Sequence, residues 1–149
     1  MDVLTPEQRR RCMATIKSRN TKPEVLLRKA LFSLGLRYRL HQKRLPGTPD
    51  LVFPKYHAVV FIHGCFWHGH GCSLFVVPKT NTTFWLQKIG GNRSRDEHAV
   101  SELRSLGWRA MTVWECALRG TDRLPIEELA RRVERWLASR RKSGKIPLR

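Results

Sequence analysis

Residues 61–72 read FIHGCFWHGHGC, a dozen positions in which histidine and cysteine alternate with large aromatics and glycine. Cys65, His70 and Cys72 form a C-x4-H-x-C run, and Cys116 follows the apolar stretch AMTVW at 110–114. Thiolates and one imidazole in a set of four suit tetrahedral Zn(II) with no open position, the pattern of a structural site. Three ligands from one loop and a fourth from a strand end would staple a Gly-rich loop that has little apolar surface of its own. The competing reading makes Cys116 a small core residue and the loop thiols bystanders. With three of the four cysteines used, Cys12 is left as a free thiol.

A second set of residues suits phosphodiester chemistry. Leu45-Pro46-Gly47-Thr48-Pro49-Asp50 leads into the β-like run DLVF, so Asp50 is presented at the start of a strand where one carboxylate can hold Mg(II). Pro-Asp also makes ordinary turns. His63 ends the buried-looking run AVVFIH and His68 lies between two zinc ligands without being needed as one; histidine is the natural acid or base near neutral pH. Glu24 in TKPE is a candidate second acid, or simply a capping-box residue. The strand VVFIHG carries no acid where nucleases that present Pro-Asp place an acid-x-Lys. Either a backbone carbonyl and histidines take over there, or this is not a nuclease site.

Phe66 and Trp67, inside the proposed metal loop, are hard to bury together, and rigid rings beside a basic surface suit base stacking or wedging. Phe84, Trp108, Trp114 and Trp136 are expected to pack in the core. The basic surface is plain in the composition: 29 Lys and Arg against 12 Asp and Glu give a formal net charge of +17 in 149 residues. That self-repulsion favours a polyanionic partner, nucleic acid above all.

The elements that must position these residues follow from periodicity. Thr5-Pro6-Glu7-Gln8 opens a helix with only Met13 and Ile16 as large apolar residues, marginal alone and expected to order on something negative. Thr21-Lys22-Pro23-Glu24 opens a second, with Leu27, Ala30, Leu31 and Leu34 as its stripe and Gly35 as its stop. Strands are expected at 37–41, 50–53, 58–63 and 110–114. A helix from about Thr82 pauses at Gly90-Gly91 and resumes to Gly107, and a last helix runs from about Pro125 to Arg140. The order α, α, β, β, β, α, β, α gives an α/β mixed sheet flanked by helices. Residues 1–20 are read as an arm, 21–140 as a single domain and 141–149 as a disordered basic tail. No apolar run approaches the roughly 18 residues of a membrane span, and the N-terminus lacks a signal core, so the expected location is cytoplasmic.

The stretches TPEQRRRCMATIKSRNTKPE, LPGTPDLV, FIHGCFWHGHGC, FWLQKIGGN and GWRAMTVWECALRG, in this order, resemble the very-short-patch repair (Vsr) DNA mismatch endonucleases. The resemblance covers most of positions 5–120 and implies a restriction-endonuclease-like fold, a structural zinc and dependence on Mg(II). It implies nicking of one strand 5′ of the mispaired thymine in T·G mismatches left by deamination of 5-methylcytosine, and so a monomer on nucleoid DNA, linked to a cytosine-5 methyltransferase. Carried over, Asp50 holds the metal and His68 is the base. His63 supports the scissile phosphate or leaving side, and Glu24 joins the histidine network. Ile62 offers a backbone carbonyl to the metal where the family has Thr. Phe66, Trp67 and Trp85 intercalate from the major-groove side, and the N-terminal helix with Met13 clasps the minor groove. Two other readings are a sequence-specific restriction-type nuclease and a zinc-stapled nucleic-acid-binding module without catalysis.

Overall fold

A computed structural model describes residues 21–147. The N-terminal arm, with Met13 and Cys12, lies outside the described residues.

Helix α1 (Lys22–Ser33) starts as its sequence requires: Thr21 is the N-cap, its hydroxyl accepting from the Glu24 N–H at 3.4 Å, and Pro23 sits in the first turn. Leu27 and Leu31 are fully buried, and Gly35, with φ of 88°, takes the left-handed position that closes the helix. The strands are β1 (Arg39–Leu40), β2 (Leu51–Phe53), β3 (Ala58–His63), β4 (Arg109–Trp114) and β5 (Ser143–Ile146). They lie in the order β1-β2-β3-β4-β5, antiparallel from β1 to β3 and parallel from β3 to β5. Two further helices, α2 (Thr82–Ser105) and α3 (Ile126–Ala138), connect β3 to β4 and β4 to β5. This is the α/β mixed sheet expected, with three described helices on its faces.

Alternation along β3 assigns the faces. Ala58 and Val60 pack with Leu27, Leu31, Leu129, Val133 and Leu137 under α1 and α3, while Val59 and Phe61 pack with Leu103 under α2. Burial of each such Leu contributes about 1.5–3 kcal/mol. β3 is buried on both faces apart from Ile62, which makes it the rigid spine on which His63 ends.

Two expectations are corrected here. Gly90-Gly91 does not interrupt α2, which runs unbroken for 24 residues. The face that meets the sheet is Ile89, Ala99 and Leu103, with Asn92 and Asp96 in the same stripe, so the glycines sit away from what decides the helix. Nor is the basic tail disordered throughout: Ser143–Ile146 pair with β4 in parallel register, Ala110 opposite Ser143 and Val113 opposite Ile146. Short polar residues hid the strand, and two tertiary devices fix it. Trp136 Nε1 donates to the Ser143 carbonyl at 2.9 Å. The Arg109 guanidinium donates to the carbonyls of Trp136, Leu137, Ser139 and Arg141 and to that of Tyr56.

Candidate functional site

The zinc-type cluster forms at the C-terminal ends of β3 and β4. Cys65 follows β3, Cys116 lies in the turn after β4, and the loop between brings His70 and Cys72 to them; one ligand atom from each lies within 4.8 Å of the others. His70 Nδ1 is 3.6 Å from Cys65 Sγ and 3.5 Å from Cys116 Sγ. A tetrahedral ion with zinc bond lengths of about 2.3 Å to sulfur and about 2.0 Å to nitrogen holds S and N about 3.5 Å apart. The four residues therefore fit a metal such as zinc. Burial raises the thiols of Cys65 and Cys116 and Cys72 raises both further, with the Cys116 N–H opposing at Cys65 and the Cys65 side chain opposing at Cys116; a cation would relieve this crowding. Outer contacts hold the ligands: the Cys116 N–H donates to Cys65 Sγ at 3.3 Å, Glu115 Oε1 accepts from the Cys65 N–H at 3.2 Å, and the His70 ring stacks on Trp114 at 4.2 Å.

The intervening residues of the loop face elsewhere. His68 stacks in parallel on His63 at 3.9 Å, and His68 Nδ1 meets Asp96 Oδ2 of α2 at 2.5 Å. A carboxylate only accepts, so Nδ1 donates and Nε2 is left as the acceptor. Burial, then the neighbouring His68, lowers His63 to about 3, with Asp96 opposing. His63 is thus neutral in the free protein near pH 7.

Asp50, immediately before β2, is reached from the other side. The Ile62 N–H donates to its Oδ2 at 2.7 Å. In a strand a residue's N–H and C=O project to the same edge, so the Ile62 carbonyl faces Asp50 too. Burial raises Asp50 to about 6, helped by the Glu24 carboxylate and opposed by the Ile62 N–H and His41. Glu24 is 2% exposed and pairs with Arg28 at 2.8 Å and with His41 Nε2 at 2.9 Å. Glu24, His41 and Asp50 offer ligand atoms within 4.8 Å of one another. A buried and a half-buried carboxylate sharing so small a space suit a divalent cation. A cavity of about 520 Å³ joins this group to His63, His68 and Asp96.

Phe66 and Trp67 meet edge to face at 5.2 Å, and Trp85 of α2 closes on both, at 5.5 and 5.7 Å. All three are half-buried, so the rings brace one another instead of standing free. Phe84, expected in the core, is 57% exposed beside Trp85. Trp136 is buried, whereas Trp108 stacks on His57 and Trp114 on His70, each only half-buried. Gly69 lets α2 close over the loop: a Cβ there would stand 2.8 Å from Ile89 Cγ2, and its φ is 65°.

Asp96 and His41 were missed in the sequence. Asp96 carries a usable signal, because a carboxylate at spacing 89–92–96–99–103 falls in the inward stripe of its helix. His41 carries none: it follows a two-residue strand and reaches Glu24 only through the fold.

Comparison with known proteins decides the family. Residues 1–74 match the family model described as DNA mismatch endonuclease Vsr. The chain is 46% identical over 145 residues to "DNA mismatch endonuclease Vsr" of Escherichia coli K12, spanning 97% of this chain and 93% of that one. The chain belongs to the Vsr family. Among its other relatives in the Vsr comparison, "Type II nicking enzyme V.XorIIP" of Xanthomonas oryzae is 50% identical over 117 residues, 78% of this chain and 86% of the relative. "Type II nicking enzyme V.NmeAIP" of Neisseria meningitidis is 51% identical over 118 residues, 79% of this chain and 84% of the relative. Membership of the Vsr family makes the protein a DNA endonuclease of mismatch repair, with DNA as its substrate. No helix among the described residues is long and apolar enough to cross a membrane.

Proposed function

We propose that the protein nicks one strand of a T·G-mismatched duplex 5′ of the mispaired thymine, with Mg(II) at Asp50 and structural Zn(II) on Cys65, His70, Cys72 and Cys116. The observation that carries this reading is one loop of two outlooks. Between zinc ligands it sends Phe66 and Trp67 into an aromatic wedge and His68 into the catalytic cavity. Wedging a base step costs a few kcal/mol of unstacking and less at a mispair, so insertion itself discriminates.

Asp50 and the Ile62 carbonyl, with Glu24 and His41 behind, would hold Mg(II), which when bound would supply positive charge to stabilise the phosphate. His68 Nε2 takes the proton of the attacking water, while Asp96 on Nδ1 fixes the ring and stabilises the imidazolium that forms. His63, neutral in the free protein, orients His68 by stacking and offers an N–H to the phosphate on the leaving side. The side chain of Ile62 gives no hydroxyl, so only its backbone serves. The protein acts as a monomer on DNA that a cytosine-5 methyltransferase has modified, within the cytoplasm, and residues 1–20 with Met13 clasp the minor groove.

Strand-labelled T·G, T·A and U·G duplexes, with and without Mg(II), test the proposal. Cutting of the T strand of the T·G duplex alone, and only with Mg(II), is expected. Equal cutting of T·G and T·A duplexes overturns it.

A further inference from the structure

A second cavity, about 990 Å³, lies around the outer edge of β5; it shares no lining residue with the catalytic cavity, and the edge of its Trp114 ring meets His63 at 5.4 Å. α2 covers β3 and the start of β4 but stops short of β5. Thr112 and Trp114, on the α2 side of β4, and their neighbour Lys145 on β5 therefore remain open on that face. Arg104 of α2, Arg135 of α3, Arg141 and Lys145 rim the groove, and none has an acidic partner among the described residues; a fifth, Arg132, pairs with Glu128. No acid lines it. The floor on this face is apolar, from Val100 and Trp114, while Met111 and Ile146 turn to the opposite face, under α3.

We propose that this groove docks an extended acidic segment of a partner protein, which adds to β5 as a sixth strand. Among the described residues β5 is the last strand of the sheet, and the backbone groups of Ser143 and Lys145 face outward. With the Ser143 carbonyl already held by Trp136 Nε1, the Ser143 N–H and the Lys145 N–H and carbonyl are left for an added strand, whose alternate side chains would meet the apolar floor and the cationic rim. Lys and Arg on an edge repel casual apolar strands, and they admit an acidic one. Four strand residues are about 13 Å long, a length matched by a short peptide. Nucleic acid fits less well. Trp114 already stacks on His70, and Trp136 is buried under Arg109, so neither presents the stacking platform that bound bases use. A duplex contacts phosphate without needing an apolar floor. The inference depends on no step of the nicking reaction.

The test uses the full chain loaded with zinc and a fluorescein-labelled peptide of alternating Glu and Val, read by anisotropy. Saturable binding is expected, weakened at least tenfold by Arg141→Glu with Lys145→Glu. The same charge change at Lys29 and Lys55, outside the groove, should alter affinity less than threefold. N-methylation of alternate peptide amides should abolish binding, and the Arg141→Glu/Lys145→Glu protein should nick at the parental rate. Equal weakening by the two charge-changed proteins, tight binding of a Lys-Val peptide, or indifference to N-methylation overturns the proposal. So does stoichiometric displacement of the peptide by T·G duplex together with slower nicking, which would make the groove a DNA surface.

Discussion

The loop from Gly64 to Cys72 serves two clusters built on opposite principles. The sulfur cluster is closed: three ligands come from eight consecutive residues, two of the cysteines are buried, and the fourth ligand arrives along the neighbouring parallel strand. The carboxylate and histidine cluster is open to a cavity and draws on α1, the end of β1, β2, β3, the loop and α2. Proximity in sequence and burial make a site that holds the fold together. Dispersion and partial exposure make one whose groups keep access to solvent and to a substrate. Removing a member should therefore have opposite consequences in the two places.

The largest effect belongs to the closed cluster. Cys65→Ser with Cys116→Ser, or removal of zinc by a strong chelator, should leave the chain without a cooperative thermal transition. Structural zinc contributes about 10–16 kcal/mol, as much as a domain's entire stability. A retained near-native melting temperature would break the comparison. Asp50→Asn should do the reverse, abolishing nicking while raising stability. A carboxyl raised to about 6 by burial favours the fold below its ordinary pKa of 3.8, and that contribution is lost as pH rises through about 6. Without Mg(II), the Asn variant should thus gain roughly 1–3 kcal/mol over the parent at pH 8 and little at pH 4, measured by denaturant titration. Asp96→Asn is next: nicking should fall about 100-fold with the melting temperature little changed, since it removes the partner of the base and not a packed group. An unchanged rate would remove Asp96 from the site. The smallest effect is that of Trp67→Ala, about tenfold in the preference for T·G over T·A from one lost stacking contact of about 1–3 kcal/mol. Its zinc content should be unaltered.

How much of this was legible depended on how each residue reports itself. Cys65, His70, Cys72 and Cys116 announced a site by type and spacing, and the fold brings them together. The positions of Asp50 and His63 were legible because a strand start and a strand end can be read from apolar runs. Asp96 was obscured by a helix in which only Ile89, Ala99 and Leu103 are buried, too weak a stripe to draw attention to an acid within it. The Gly pair in α2 and the polar β5 misled for one reason. Propensity is a local quantity, while these elements are set by what packs on them. The sealed apolar strands β2 and β3 left no such ambiguity.

Arg109 puts a limit on reading function from charge totals. Its guanidinium faces inward, bonded to five main-chain oxygens drawn from α3, the segment after it and the turn at Tyr56. One of the 29 cationic side chains is thus a rivet joining the last helix and last strand to the sheet, out of reach of any phosphate. Trimming the chain after Ala138, which on composition would merely shed surplus positive charge, would instead strip two acceptors from the rivet and expose the flank of β4.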